Sequence, residues 1–139
     1  MIAEDYVNFE TAKLLKEKGF DEITFTWYTG KGKFCVGKNN FDDYHMNHFS
    51  NMATAKDKNK CSAPTLQMAM KWLRETYKLE VRSTYDYDKD SWWGNINPMF
   101  EETDENSDIY QKALRFDYQG KSYEEACEAA IKYCLENLI

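Results

Sequence analysis

Between Ser62 and Lys78, in SAPTLQMAMKWLRETYK, apolar residues recur with a helical period. Leu66, Met70, Leu73 and Tyr77 fall at i, i+4, i+7 and i+11, and Ala69 and Trp72 widen that face. Gln67, Lys71, Arg74, Glu75 and Lys78 lie mostly opposite. Pro64 suits the first turn of a helix, with Ser62 or Ala63 at the cap. This pattern predicts a central helix whose Met and Trp stripe is core.

The same reasoning places other elements around it. Asn8 to Lys18 reads as a first helix, capped by Asn8 and ended by Gly19, with Phe20 folding back on Leu15. Ile23, Phe25 and Trp27 alternate with Thr24, Thr26 and Tyr28, and Phe34 and Val36 with Lys33 and Cys35. Around the turn Thr29-Gly30-Lys31-Gly32, this predicts a β-hairpin over residues 23–37.

Residues 38–60 are less regular. Phe41, Tyr44, His45, His48, Phe49 and Met52 fit one helical face, so a short helix and a flap are both open, and residues 55–60 read as solvated linker. Leu79, Val81, Ser83, Tyr85 and Tyr87 then alternate with Glu80, Arg82, Thr84, Asp86 and Asp88, the clearest strand in the chain. A weaker strand covers 92–99, where Pro98 marks an edge or an ending. Leu114, Phe116 and Tyr118 mark another strand, followed by a turn at Gln119-Gly120. Ser122 to Leu138 reads as the last helix, opened by the capping box Ser122-x-x-Glu125. The small residues Ala126, Ala129 and Ala130 allow a neighbour to approach closely.

Strands joined by short links imply antiparallel pairing. The expected fold is α+β: one mainly antiparallel sheet of four to five strands, with about three helices on one face. At 139 residues a single domain spanning 1–139 is expected. Aromatic residues make up 16% of the chain, ample core material, and charged residues 30% with a mean hydropathy of -0.79, so the surface is well solvated.

Charge and chemistry narrow the function classes. The net charge of -6 argues against broad binding along a phosphate backbone, while leaving room for a local basic patch. The acidic start MIAEDYVNFE lacks the apolar core of a signal peptide, and no run of 18 apolar residues offers a membrane span, so the cytoplasm is the expected compartment. Cys35, Cys61, Cys127 and Cys134 form no CxxC pair and read as free, mostly buried thiols. Cys127 and Cys134 stand about 10 Å apart along one helix, too far for a disulfide.

Asp86-x-Asp88-x-Asp90 has the opening spacing of a calcium loop, but Ser91 and Asn97 stand where that loop needs Gly and Glu. His45 and His48, with Asp42 and Asp43 near, lack further zinc ligands at a recognisable spacing. Neither a metal nor a cofactor is expected. No nucleophile beside a base is marked out, so the chain is not expected to be an enzyme. A small hydrolase would need a cleft joining His45 or His48 to a cysteine or carboxylate. Tyr85, Tyr87, Trp92 and Trp93 cluster in sequence beside the acidic run Glu101, Glu102, Asp104, Glu105 and Asp108. Exposed aromatics with a charged rim are the composition of a protein-binding hot spot, and Tyr85, Tyr87, Trp92, Trp93, Glu101, Glu102, Asp104 and Glu105 are the candidate interaction surface.

Three stretches, VNFETAKLLKEKGFDE (Val7–Glu22), APTLQMAMKWLRETYKLEV (Ala63–Val81) and YEEACEAAIKYCLENLI (Tyr123–Ile139), resemble a family of small uncharacterised accessory proteins of Bacteroidales genomes, prophages and phages. They cover a little over a third of the chain and consist of helix caps and core stripes. The resemblance implies a mobile-element setting and an accessory role, and carries no catalytic residues. The expected function is a non-enzymatic protein-interaction module with an unidentified protein partner. The alternative is a nucleic-acid-linked role, either as a direct binder or as an acidic mimic of DNA.

Overall fold

The computed structural model describes residues 2–37, 49–52, 58–99 and 107–139. Among these residues the fold is α+β, with four helices and two three-stranded antiparallel sheets. Its residues fall into two compact units, 1–65 and 66–139.

The first unit opens with helix α1 (Phe9–Glu17). The Asn8 side chain accepts the Thr11 N–H at 2.9 Å, the expected cap. At the other end Gly19 takes φ +95°, a left-handed conformation open to glycine. The Phe20 N–H reaches Leu15 O at 2.9 Å and the Gly19 N–H reaches Lys16 O at 3.2 Å. This double closure folds Phe20 back on Leu15, and both are fully buried.

Strands β1 (Thr26–Tyr28) and β2 (Phe34–Val36) form the expected hairpin, shorter than its sequence pattern. Its connection, residues 29–33, closes through Thr29 N–H to Lys33 O and Gly32 N–H to Thr29 O, with Gly32 at φ +84°. A third strand, β3 (Cys61–Ser62), makes β1 the central strand. Ser62 therefore lies in a strand, not at a helix cap.

Along the first half of the hairpin the threonines are the buried set. Thr24 and Thr26 are enclosed, while Ile23 and Phe25 are exposed. Burial is tolerated because each hydroxyl has an acceptor: Thr24 Oγ1 donates to Thr26 O at 2.7 Å and Thr26 Oγ1 to Ala63 O at 2.6 Å.

Phe49 bridges Thr24 in β fashion and stacks on Trp27 at 5.6 Å, and Met52 is exposed in a turn. A single helical face through Phe49 and Met52 does not form. Buried Asn51 accepts the Ser62 N–H at 2.9 Å and donates to Phe20 O, fastening the end of α1 to β3.

The second unit begins at helix α2 (Leu66–Tyr77), four residues later than Ser62. Leu66, Ala69, Met70, Trp72 and Leu73 are buried as the periodicity requires. Lys78, at φ +57°, turns the chain into β4 (Leu79–Asp86), which pairs along its whole length with β5 (Ser91–Pro98). Strand β6 (Tyr118–Gly120) pairs with the other side of β5. The segment read as a weak or edge strand is thus central, and Pro98 sits at its end, where a missing N–H costs no ladder bond.

Residues 108–114 are helix α3 (Asp108–Leu114), not the start of a strand. The Ser107 hydroxyl accepts the Tyr110 N–H at 3.2 Å, and Asp108 pairs with Lys112 at 3.1 Å, one turn apart. Gln119-Gly120 belongs to β6 rather than to a turn.

Helix α4 (Tyr123–Asn137) lies across the sheet face made by Leu79, Val81, Gly94 and Ile96. The approach is close: a Cβ on Gly94 would lie 3.0 Å from Ala126 O and 2.8 Å from the Phe116 ring. Ala126 and Ala130 are fully buried there. The capping box is altered. Ser122 Oγ accepts the Glu125 N–H at 3.0 Å, but the Glu125 carboxylate takes the Lys121 N–H and the Tyr118 hydroxyl instead of reaching Ser122.

Candidate interaction surface

Tyr85, Tyr87, Trp92 and Trp93 meet at one end of the β4–β5 hairpin. Strand alternation divides them between two faces. Tyr85 stands opposite Trp92 on the face covered by α4; their rings are 5.1 Å apart, and Trp92 meets Tyr123 edge-on at 5.6 Å. Trp93 stands opposite Thr84 and Gln119 on the other face. Tyr87 is 87% exposed at the tip and Tyr85 44% exposed, while both tryptophans are half-buried. The expected inward face of β4 therefore holds at Leu79 and Val81 and opens at its aromatic end.

Asp86 organises this end. Its Oδ1 accepts the N–H groups of Asp88 at 3.1 Å and Lys89 at 3.3 Å. Its Oδ2 accepts the Trp93 indole N–H at 2.9 Å and the Gln119 amide at 3.2 Å. Gln119 also donates to Ser91 Oγ, and the Lys89 ammonium lies 5.9 Å from the Trp93 ring centroid. The Trp93 N–H, and after it the backbone N–H groups, hold the Asp86 carboxyl below the usual carboxylate range. Tyr85 donates its hydroxyl to Asp90 Oδ1 at 2.6 Å, which raises the phenol above its ordinary value.

The acidic loop motif is thereby reinterpreted: Asp86 serves N–H donors within the hairpin and Asp90 serves Tyr85. Among the described residues no group of three or more His, Cys, Asp or Glu is placed to hold a metal ion. Gln119 and Lys89 are the contributors that sequence patterning missed. Gln119 reaches the site only through β6 pairing, which no local signal announces.

The remaining candidates are distributed elsewhere. Glu101, Glu102, Asp104 and Glu105 lie outside the described residues, as do His45, His48, Asp42 and Asp43. Cys61, Cys127 and Cys134 are buried free thiols and Cys35 is half-exposed. Burial raises all three buried thiols, Cys127 to about 11 and Cys134 to about 12, so their thiolates are disfavoured.

A cleft of about 420 Å³ in the first unit is lined by Lys16, Gly19, Phe20, Asp21, Asn51, Met52 and Lys58. Its polar groups serve the backbone: Lys16 donates to the carbonyls of Lys58 and Lys60, and Asp21 accepts the Met52 N–H. No described helix is long and apolar enough to cross a membrane. No protein-family model matches this chain, and comparison with curated proteins and with solved structures also gives no match.

Proposed function

We propose that this protein is a non-enzymatic accessory module that binds another protein through the end of the β4–β5 hairpin, in the phage or mobile-element setting its helices resemble. The observation that carries this reading is the presentation of Tyr85 and Tyr87 to solvent on a hairpin fixed by Asp86. Aromatic anchors on a rigid frame lose little conformational entropy on binding. All six excess negative charges belong to residues 66–139, because residues 1–65 hold nine lysines against nine carboxylate side chains. The partner surface is therefore basic around an aromatic-accepting pocket, which also accommodates the reading as an acidic mimic.

The test uses Tyr87→Ala, whose side chain is exposed enough to remove without opening the core, and Tyr85→Ala, which also removes the bond to Asp90 and the ring contact with Trp92. Each is expected to abolish capture of a specific partner, Tyr87→Ala with an unchanged melting curve and Tyr85→Ala with a modestly lowered one, and the wild-type interaction should weaken as salt rises. Trp92→Ala and Trp93→Ala are less selective, because these rings pack on Tyr123 and bond Asp86. Undiminished capture by both tyrosine variants would place the interaction elsewhere.

A further inference from the structure

The lysines of the first unit are not spread evenly. Three segments distant in sequence meet around the tip of the β1–β2 hairpin. Gly32 faces the Phe9 ring of α1, and a Cβ there would lie 3.2 Å from Phe9 Cδ1. Gly30 abuts Asn59, with no room for a side chain between them. The Lys13 ammonium lies 4.5 Å above the Phe9 ring, and Lys16 Nζ reaches the carbonyls of Lys58 and Lys60. Lys13, Lys16, Lys31, Lys33, Lys58 and Lys60 are thereby gathered around one corner of a unit with no arginine.

An aromatic surface adjoins this corner. Tyr28 and Phe34 pair across the hairpin with ring centroids 5.4 Å apart, Tyr6 lies 5.1 Å from Phe34, and Phe9 lies 5.5 Å from Tyr28. Tyr6 and Phe34 are each 38% exposed. On α1, Phe9, Lys13 and Lys16 share one stripe at i, i+4 and i+7, with Glu10 and Glu17 flanking Lys13 at i−3 and i+4 on the side away from Lys16. The other carboxylates near in sequence are Glu4 and Asp5, just before Tyr6, and Asp57, just before Lys58, while Asp21 lines the cleft beside Lys16 and Lys58.

Lysine ammonium groups are hydrated point charges suited to phosphate oxygens. Exposed ring faces stack bases regardless of sequence. Together they form the combination by which proteins hold an unpaired strand. A duplex would meet the lysines but keep its bases stacked away from the rings, and an acidic peptide would leave the rings unused. We infer that the Lys13–Phe34 corner of the first unit binds single-stranded nucleic acid, with phosphates on the lysines and bases on Phe34 and Tyr6. The whole-chain charge of -6 conceals this because residues 1–65 are neutral overall. The inference stands apart from the protein partner proposed for the β4–β5 hairpin.

The test is fluorescence anisotropy of the full chain with a labelled oligothymidylate of about 20 nucleotides, across a salt series. Binding is expected at low salt and should weaken steeply as salt rises. Lys13→Gln combined with Lys31→Gln should reduce affinity at least about tenfold and flatten the salt slope by about one to one and a half. Phe34→Leu should reduce affinity about tenfold with the slope unchanged, since it removes stacking and no charge. Tyr6→Leu repeats that test if the Phe34 variant folds poorly. No binding at low salt would overturn the inference. So would equal affinity for a duplex of the same length, equal competition by polyglutamate, or indifference to both aromatic substitutions.

Discussion

At the scale of single residues, burial and hydrogen bonding separate the side chains that hold the fold from those it can spare. Leu73 is fully buried on α2, and Leu73→Ala should destabilise by about 2–4 kcal/mol because the cavity collapses only in part. A denaturation midpoint equal to wild type would show that this stripe is not the core. Asp86 has a folded-state carboxyl below its ordinary value, held there first by the Trp93 N–H. Its contribution is present above the unfolded pKa, about 4, and is lost as pH falls through the lower folded value. Tryptophan fluorescence should therefore report a loosening of the hairpin on acidification, and Asp86→Asn should remove that transition. An identical acid transition in the Asn variant would assign it to another group, such as Glu125, whose carboxyl Tyr118 likewise holds low. The thiols divide by exposure. One equivalent, Cys35, should react rapidly with a thiol reagent in the native protein, and Cys61, Cys127 and Cys134 only on unfolding.

At the scale of elements, the local signals were the readable ones. The ending of α1 was legible because Leu15, Gly19 and Phe20 specify it within six residues, and the Asn8 and Ser122 caps for the same reason. The stripe of α2 was legible, but Pro64 and Ser62 drew its start too early: Ser62 is claimed by β1 as a strand partner and Pro64 O accepts the Val7 N–H. Helix α3 was misread because Leu114, Phe116 and Tyr118 alternate across the end of a helix only two turns long. Sheet order was not legible, since β5 becomes central only when β6 returns from beyond the acidic segment. The four aromatics of the candidate surface could be read as a group, but Asp86 as their organiser could not, because its Trp93 and Gln119 partners arrive by pairing. The α4–sheet contact makes its own prediction. Gly94→Ala places a methyl 2.8 Å from the Phe116 ring and 3.0 Å from Ala126 O, so it should cost about 1–3 kcal/mol. A melting temperature equal to wild type would mean that α4 yields without strain.

At the scale of the whole molecule, charge is segregated in a way that a single net value hides. Residues 1–65 are neutral, with six of their nine lysines gathered, whereas residues 66–139 carry the entire -6. The net value argues only against broad phosphate-backbone binding, and it is the local distribution that leaves room for a basic patch. The proposed strand-binding corner and the proposed protein-binding hairpin belong to different units and share no residue. Energetic coupling between sites requires an element with two arrangements that both ligands bias. Neither proposal calls on such an element, so the two activities should be separable. Lys13→Gln with Lys31→Gln should leave capture of the protein partner unchanged, and Tyr87→Ala should leave the oligothymidylate affinity within about twofold of wild type. The check is to run both assays on both variants. If each substitution weakens both activities while the melting curves stay constant, the two surfaces are parts of one binding site, and their treatment as independent is wrong.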